Sequence, residues 1–73
     1  SYLSREFRRH FGVTLKQYLT RKRISKAKEY LKYSDLTVSE IAERTGFENS
    51  SYFIRTFKKS EAVSPLAFRR SGQ

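Results

Sequence analysis

The sequence predicts an all-α fold, and three observations support this prediction. Apolar residues recur every three or four positions, which is the spacing of one helix face. Residues that favour helix N-caps precede these apolar segments, and glycines stand where two of the segments should end. Residues 15–33 contain no Gly or Pro, so this longest segment reads as one uninterrupted helix.

The first two predicted helices are separated by Gly12. The first covers residues 1–10, and a glycine just beyond it suits its C-terminal stop. Thr14 and Gln17 have the spacing of a capping box, which opens the long helix of residues 15–33. Its predicted apolar face consists of Leu15, Tyr18, Leu19, Ile24, Ala27 and Leu31.

The segment of residues 37–59 predicts two short helices around a tight turn. Thr37 and Glu40 form a second capping box at its start. Four residues after the small Ala42, Gly46 supplies the positive φ that a sharp turn needs. The first short helix therefore buries an apolar stripe made of Val38, Ile41 and Ala42.

Asn49 or Ser50 can cap the second short helix. Phe53 and Phe57 lie one turn apart and form its buried face, with Tyr52 beside them. A capped helix, a small residue, a glycine turn and a second capped helix are typical of a helix-turn-helix. In that motif the second helix enters the major groove of DNA.

A final short helix is predicted at the C-terminal end. Ser64 is a suitable cap, and Pro65 stands at the first helical position, where its missing N–H costs nothing. The helix then covers residues 66–70, with Phe68 packing inward.

The sequence also contains an internal repeat with an offset of fifty residues. Residues 1–9 align with residues 51–59, with identical Ser, Tyr, Arg and Phe, and Tyr18 aligns with Phe68. We interpret the first helix as the second helix of an earlier unit, and the chain as a fragment of a longer protein. The predicted fold is thus a tandem of homeodomain-like helix-turn-helix units with the first one truncated. It divides into residues 1–14 (truncated first unit), 15–34 (linker helix) and 35–73 (second unit and C-terminal helix).

Composition restricts the classes of function. Sixteen Lys and Arg against seven Asp and Glu give a net charge of +9, which favours a polyanionic partner, most commonly nucleic acid. The chain has no Cys and a single His, so neither a thiolate nor a His-based metal site is available. No catalytic constellation is present, so an enzyme is not expected.

No apolar run approaches the roughly 20 residues that cross a bilayer. A cytoplasmic location is the expectation.

With these residues identified, the chain resembles the AraC/XylS family of bacterial transcription regulators. The pattern I-A-x-x-x-G-F-x-x-x-x-Y-F-x-x-x-F-K starts at Ile41, and S-P-x-x-[YF]-R starts at Ser64. The match runs from residue 1 to about residue 70. Ala62 departs from the family, which usually has Gly there. Either Ala adopts a positive φ at a cost of roughly 1 kcal/mol, or the turn is built differently.

The resemblance implies two helix-turn-helix units that read successive major-groove segments of promoter DNA. A linker helix of about 28 Å is compatible with segments about 34 Å apart, although a plain core helix with a solvated basic face is the alternative. RNA polymerase is an implied further partner. No cofactor, metal, membrane or small-molecule site is expected in this fragment. Because both units lie in one chain in the same direction, the expected DNA site is asymmetric.

The candidate recognition residues belong to two groups. Base contacts are assigned to the exposed positions of the two recognition helices that the family also uses, Ser1, Arg5, Ser51 and Arg55, with the arginines as the main readers. Phosphate contacts are assigned to Arg8, Arg9, Arg21, Lys22, Arg23, Asn49, Ser50, Lys58 and Lys59.

Several alternatives stay open at this point. Asn49 and Ser50 can serve only as caps, and Arg23 can instead pair with Glu40 or Glu43. The aromatic side chains Phe47, Tyr52, Phe53, Phe57 and Phe68 are assigned to the core, not to base stacking. A membrane-binding basic peptide, an RNA-binding domain and a helix-turn-helix used only for protein contacts are the competing functions.

Overall fold

The computed structural model describes residues 2–71, which form five α-helices and no strand. The predicted all-α fold is therefore confirmed. The long helix has the predicted bounds. The last helix has Pro65 as its first residue, as predicted, and ends one residue beyond the predicted end. The helices are α1 (Tyr2–Phe11), α2 (Leu15–Tyr33), α3 (Val38–Arg44), α4 (Ser50–Glu61) and α5 (Pro65–Ser71).

Both predicted capping boxes are present. The Thr14 N–H donates to Gln17 Oε1 at 3.0 Å, and the Gln17 N–H donates to Thr14 Oγ1 at 3.0 Å. The Thr37 N–H donates to Glu40 Oε1 at 2.8 Å, and the Glu40 N–H donates to Thr37 Oγ1 at 3.1 Å. These bonds to Thr37 lower the pKa of the Glu40 carboxyl, because they favour its charged form. Each box therefore fixes the first turn of its helix.

The core lies between the C-terminal half of α2 and the three helices that follow it. Four phenylalanine rings form a continuous row, with centroid distances of 5.0 Å (Phe47 to Phe53), 5.8 Å (Phe53 to Phe57) and 5.5 Å (Phe57 to Phe68). Phe53 and Phe57 are completely buried, as predicted. The remaining buried apolar side chains of the cluster are Ile24, Ala27, Leu31, Ile41 and Ala42.

The N-terminal half of α2 is less covered than predicted. Leu19 was expected on the apolar face but is 40% exposed, and Tyr18 is only half-buried. Here α2 packs against α1, whose Phe7 ring lies 5.1 Å from the Tyr18 ring and 4.5 Å from the Phe11 ring. A single short helix covers only part of the apolar face of α2, so the prediction for Leu19 was wrong.

The two copies of the repeat end their helices in the same way. Gly12 (φ +75°) and Ala62 (φ +68°) both adopt the left-handed conformation. Their N–H groups donate to the carbonyls of Arg8 and Lys58, in each case at 2.8 Å. Of the two possibilities left open for Ala62, the structure shows the positive φ, and an L-residue there is strained by about 1–2 kcal/mol.

Arg69 joins α5 to the C-terminal end of α2. Its Nε donates to the Leu31 carbonyl at 3.1 Å, and its Nη2 donates to the carbonyls of Ser34 at 3.1 Å and Leu36 at 2.8 Å. The last carbonyls of a helix have no partner within the helix, so a half-buried guanidinium stabilises this end of α2.

Replacing Ala62 by Gly should raise the free energy of unfolding by about 0.5–1 kcal/mol. The change relieves the left-handed strain, and the larger conformational entropy of Gly in the unfolded chain offsets part of the gain. Urea unfolding measures it. Ala67→Gly, at an exposed position inside α5, is the control and should lower stability by a similar amount. A loss of stability in both variants would contradict the strain at Ala62.

Arg69→Ala should lower the free energy of unfolding by about 2–3 kcal/mol, because three partly buried carbonyls lose a charged donor. The neighbouring exposed Arg70→Ala carries the same charge change and should stay within about 0.5 kcal/mol of the wild type. Equal urea midpoints for the two variants would show that the Arg69 hydrogen bonds add nothing to stability.

Candidate nucleic-acid interface

The turn between α3 and α4 is fixed by backbone hydrogen bonds. Gly46 has φ +89° and donates to the Glu43 carbonyl at 3.2 Å, and the Phe47 N–H donates to the Ala42 carbonyl at 3.0 Å. This pair of bonds is a Schellman motif, in which the residue after the left-handed position packs back on the helix. Phe47 is accordingly buried. The turn therefore sets the direction in which α4 leaves α3.

Thr45 contributes to the same turn and was not singled out in the sequence. It is buried, and its hydroxyl donates to the Ile41 carbonyl at 2.7 Å. A threonine at the end of a helix commonly bonds to the carbonyl four residues earlier, so its position after the last apolar residue was the available signal.

α4 presents its polar face directly opposite its buried face. Phe53 and Phe57 have no exposed surface, whereas Ser51 and Arg55 are exposed. Among the described residues, no carboxylate lies within ion-pair distance of Arg55. Its guanidinium is therefore available to an external acceptor.

The corresponding face of α1 is also exposed and basic. Arg5, Arg8 and Arg9 are all exposed, and Arg9 pairs with Glu6 at 3.3 Å. An exposed pair of this kind contributes little and is easily exchanged for a phosphate. Ser1, the fourth predicted base contact, lies outside the described residues.

Arg23 does not pair with either carboxylate considered in the sequence. The Glu40 carboxylate accepts the Thr37 N–H in the capping box, and no ion pair of Arg23 or Glu43 is present within residues 2–71. Arg23 is exposed instead, and its Nε lies 3.3 Å from the place where a Cβ on Gly46 would be. The guanidinium thus lies against the turn between α3 and α4.

The start of α4 decides between the two proposed caps. The Asn49 side chain accepts the Tyr52 N–H at 2.8 Å, so Asn49 is the N-cap and Ser50 is the first helical residue. Tyr52 was assigned to the core, but it is 36% exposed, and the centroid of its ring lies 6.0 Å from that of the Phe47 ring. Its position one residue before Phe53 turns it to the edge of the buried face.

An open groove separates the N-terminal half of α2 from α4. It has a volume of about 580 Å³, and four cationic side chains and two threonines line it along with other polar residues. We call it the interhelical groove and define it by Lys16, Thr20, Arg21, Arg55, Thr56 and Lys59. Arg21, Arg55 and Lys59 were already candidates from the sequence, whereas Lys16 was missed because its place depends on how the helices cross.

The other cationic candidates lie on solvent-facing positions. Lys22 is exposed and lies over the Tyr18 ring at 5.7 Å, and Lys58 is exposed in the last turn of α4. Within the described chain, no group of three metal-ligating side chains occurs. No described helix is long and apolar enough to cross a membrane.

Comparison with known proteins identifies the family. The sequence profile of the helix-turn-helix domain matches residues 1–71. The chain belongs to the AraC/XylS-type helix-turn-helix family. It is 44% identical over 64 residues to the HTH-type transcriptional activator RhaR of Cronobacter sakazakii, covering 88% of this chain and 23% of RhaR. The chain thus spans about a quarter of the length of this relative.

Solved structures of the family have the same fold. The C-terminal domain of the two-component response regulator yesN from Fusobacterium nucleatum matches with a TM-score of 0.91 and 44% identity, over 93% of this chain and 66% of that one. The DNA-binding domain of AdpA, a global transcriptional factor solved in complex with a target DNA, matches with a TM-score of 0.89 and 32% identity, over 93% and 61%. The helix-turn-helix class is therefore confirmed for this fold.

Asn49→Ala should lower the free energy of unfolding by about 1 kcal/mol, because the Tyr52 N–H loses its acceptor. Asn49→Ser should preserve most of the cap. Ser51→Ala, two residues further on an exposed position, is the control and should stay within about 0.5 kcal/mol. Thermal and urea unfolding measure all three, and equal losses for Asn49→Ala and Ser51→Ala would contradict the capping role.

Proposed function

We propose that this chain is the DNA-reading domain of a bacterial transcription regulator and that α4 enters the major groove of duplex DNA. The observation that carries the proposal is the division of α4 into two faces. Phe53 and Phe57 are fully buried in the core, while Ser51 and Arg55 are exposed on the opposite side. The likeness to a domain solved with its target DNA supports the same use of the fold.

The chemistry of these two side chains suits base reading. Arg55 is a fork of N–H donors that matches the O6 and N7 acceptors of guanine, and one such contact discriminates by about 1–3 kcal/mol. Ser51 is short, so its contribution is a weaker contact to a base or to phosphate. Neither residue takes part in the core, and both are therefore free to meet the DNA.

α1 is proposed as the second reader, through Arg5 and Ser1. Arg5 occupies the repeat position of Arg55 and is exposed. The domain is 40 Å long, which exceeds the roughly 34 Å between successive major-groove segments on one side of the duplex. Two readers that follow each other in one chain would recognise an asymmetric site.

Phosphate contacts are proposed at the N-terminus of α4 and along the basic helices. The Tyr52 N–H is used by the Asn49 cap, which leaves the N–H groups of Ser50 and Ser51 without a partner inside the helix. Such a helix N-terminus suits a phosphate oxygen. The cationic side chains in this role are Arg8, Arg9, Arg21, Lys22, Arg23, Lys58 and Lys59.

For the whole regulator, the relatives suggest a wider role. RhaR is named a transcriptional activator. We propose promoter DNA in the cytoplasm as the target of the whole regulator, and RNA polymerase as the partner through which it would act. No catalytic activity is proposed.

Selection of duplexes from a random pool tests the function. We expect the wild-type chain to enrich a short asymmetric motif. Arg55→Ala should lose about 5- to 150-fold of discrimination at one or two base pairs, the equivalent of 1–3 kcal/mol. Arg55→Lys should lose the same discrimination but keep the salt-sensitive affinity, since Lys retains the charge without the fork.

Arg70→Lys is the matched control and should select the wild-type motif, because Arg70 is exposed on α5. If the wild type enriches no motif and binds heparin or anionic vesicles as well as DNA, the chain is not a sequence-specific reader. If Arg55→Lys keeps the full base preference, Arg55 does not read bases through its fork.

A further inference from the structure

The interhelical groove is lined by four cationic side chains that come from two helices. Lys16 and Arg21 stand on the α2 wall, Arg55 and Lys59 stand on the α4 wall, and no carboxylate lines it. Glu61 lies outside the lining: one carboxylate oxygen pairs with Lys28 at 3.2 Å, and the other accepts the hydroxyl of the groove residue Ser60 at 2.8 Å. The trough therefore concentrates positive charge that no acidic side chain within its walls offsets.

The spacing of these charges suits a linear polyanion. Lys16 and Arg21 are about 7.5 Å apart along the axis of α2, and Arg55 and Lys59 are about 6 Å apart along the axis of α4. A DNA strand carries one charge per roughly 3.4 Å of helix rise, so the two walls can meet several phosphates of one strand. The hydroxyls of Thr20 and Thr56, both half-buried, add neutral donors between the cations.

Arg55 connects the trough to the base-reading face. It is both the proposed reader of α4 and part of the wall of the trough. A strand in the trough would thus lie at the edge of the major groove that α4 enters. A small free anion would not need an open trough with cations along both sides.

We propose that the interhelical groove holds the sugar-phosphate backbone of one DNA strand, with Lys16 and Arg21 on one side of the strand and Lys59 on the other. Thr20 and Thr56 donate to phosphate oxygens. The inference rests on the proposed function and assigns phosphate contacts to Lys16, Thr20 and Thr56, which no sequence pattern indicated. These residues position the DNA without reading its sequence.

The test compares two double variants with the same change in net charge. The first variant, Lys16→Gln with Arg21→Gln, removes both positive charges that α2 contributes to the groove. The control, Lys26→Gln with Lys32→Gln, removes two exposed positive charges of the same helix outside the groove. Dissociation constants are measured against salt concentration for the selected duplex and for an unrelated duplex. Circular dichroism and urea unfolding first establish that both variants fold.

We expect the groove variant to weaken binding to both duplexes by the same factor. Its slope of log K against log salt should be shallower by about 1.8, since each lost phosphate contact removes about 0.9. Its base preference should equal that of the wild type, and the Lys26/Lys32 control should keep the wild-type slope. If the salt slope of the groove variant equals that of the Lys26/Lys32 control, the inference about the groove is wrong. The proposed function would still stand in that case, provided that the wild type selects its DNA motif.

Neutral methylphosphonates, placed one at a time in each strand of the selected duplex, give a second readout. In the wild type we expect a run of adjacent positions in one strand to weaken binding. In the groove variant the same positions should weaken binding less, because Lys16 and Arg21 no longer contact them. Titration with ATP in the absence of DNA tests the other class of ligand. If the wild type binds ATP, the groove variant does not, and both proteins have the same DNA salt slope, the groove is a nucleotide site. The proposal that it holds a DNA strand would then be wrong.

Discussion

The fixed orientation of α4 depends on the burial of two phenylalanines one helical turn apart. In a chain of 73 residues a core can only be small, so bulky aromatic side chains have to supply much of the apolar area. Phe53 and Phe57 have no exposed surface, and the row of rings continues through Phe47 and Phe68. Any rotation of α4 about its axis would expose these rings to water. The direction of its polar face is thus a consequence of the core.

Small buried residues let the helices pack closely, and several carboxylates are bound by partners close to them. Ala27 and Ala42 are almost completely buried, and their small side chains allow α2 and α3 to approach closely. Several carboxylates are occupied by nearby partners, such as Glu40 in its capping box and Glu61 with Lys28. Among the described residues Arg55 has no ion pair, so its charge is not neutralised by direct contact with a carboxylate.

The elements that could be predicted from the sequence are those determined by local chemistry. Thr37 with Glu40 and the positive φ of Gly46 depend only on neighbours within a few residues. The three carbonyls that Arg69 binds lie 33 to 38 residues away in sequence, so no local pattern indicates them. Leu19 and Tyr52 were misplaced for a related reason. The spacing of apolar residues predicts which face of a helix is buried. How much of that face is buried depends on which other helices pack against it.

The same distinction applies to the candidate site. The exposure of Arg55 follows from its spacing to Phe53 and Phe57, so the sequence was sufficient for it. The interhelical groove needs α2 and α4 to lie side by side, and the neighbourhood of Lys16 and Lys59 is a property of the packed helices. The proposed base-reading residues are thus predictable from one helix, whereas the proposed backbone contacts come from several.

This separation has a physical consequence for how such a domain can change its target. Ser51 and Arg55 are exposed and lie outside the core, so a substitution at either position changes the proposed base-reading groups and leaves the buried rings in place. The proposed phosphate contacts come mainly from other residues and do not depend on base sequence, so we expect general affinity for DNA to persist when the base contacts change. In the proposed complex the buried side chains carry stability and the exposed Ser51 and Arg55 carry specificity, so specificity can vary without loss of the fold.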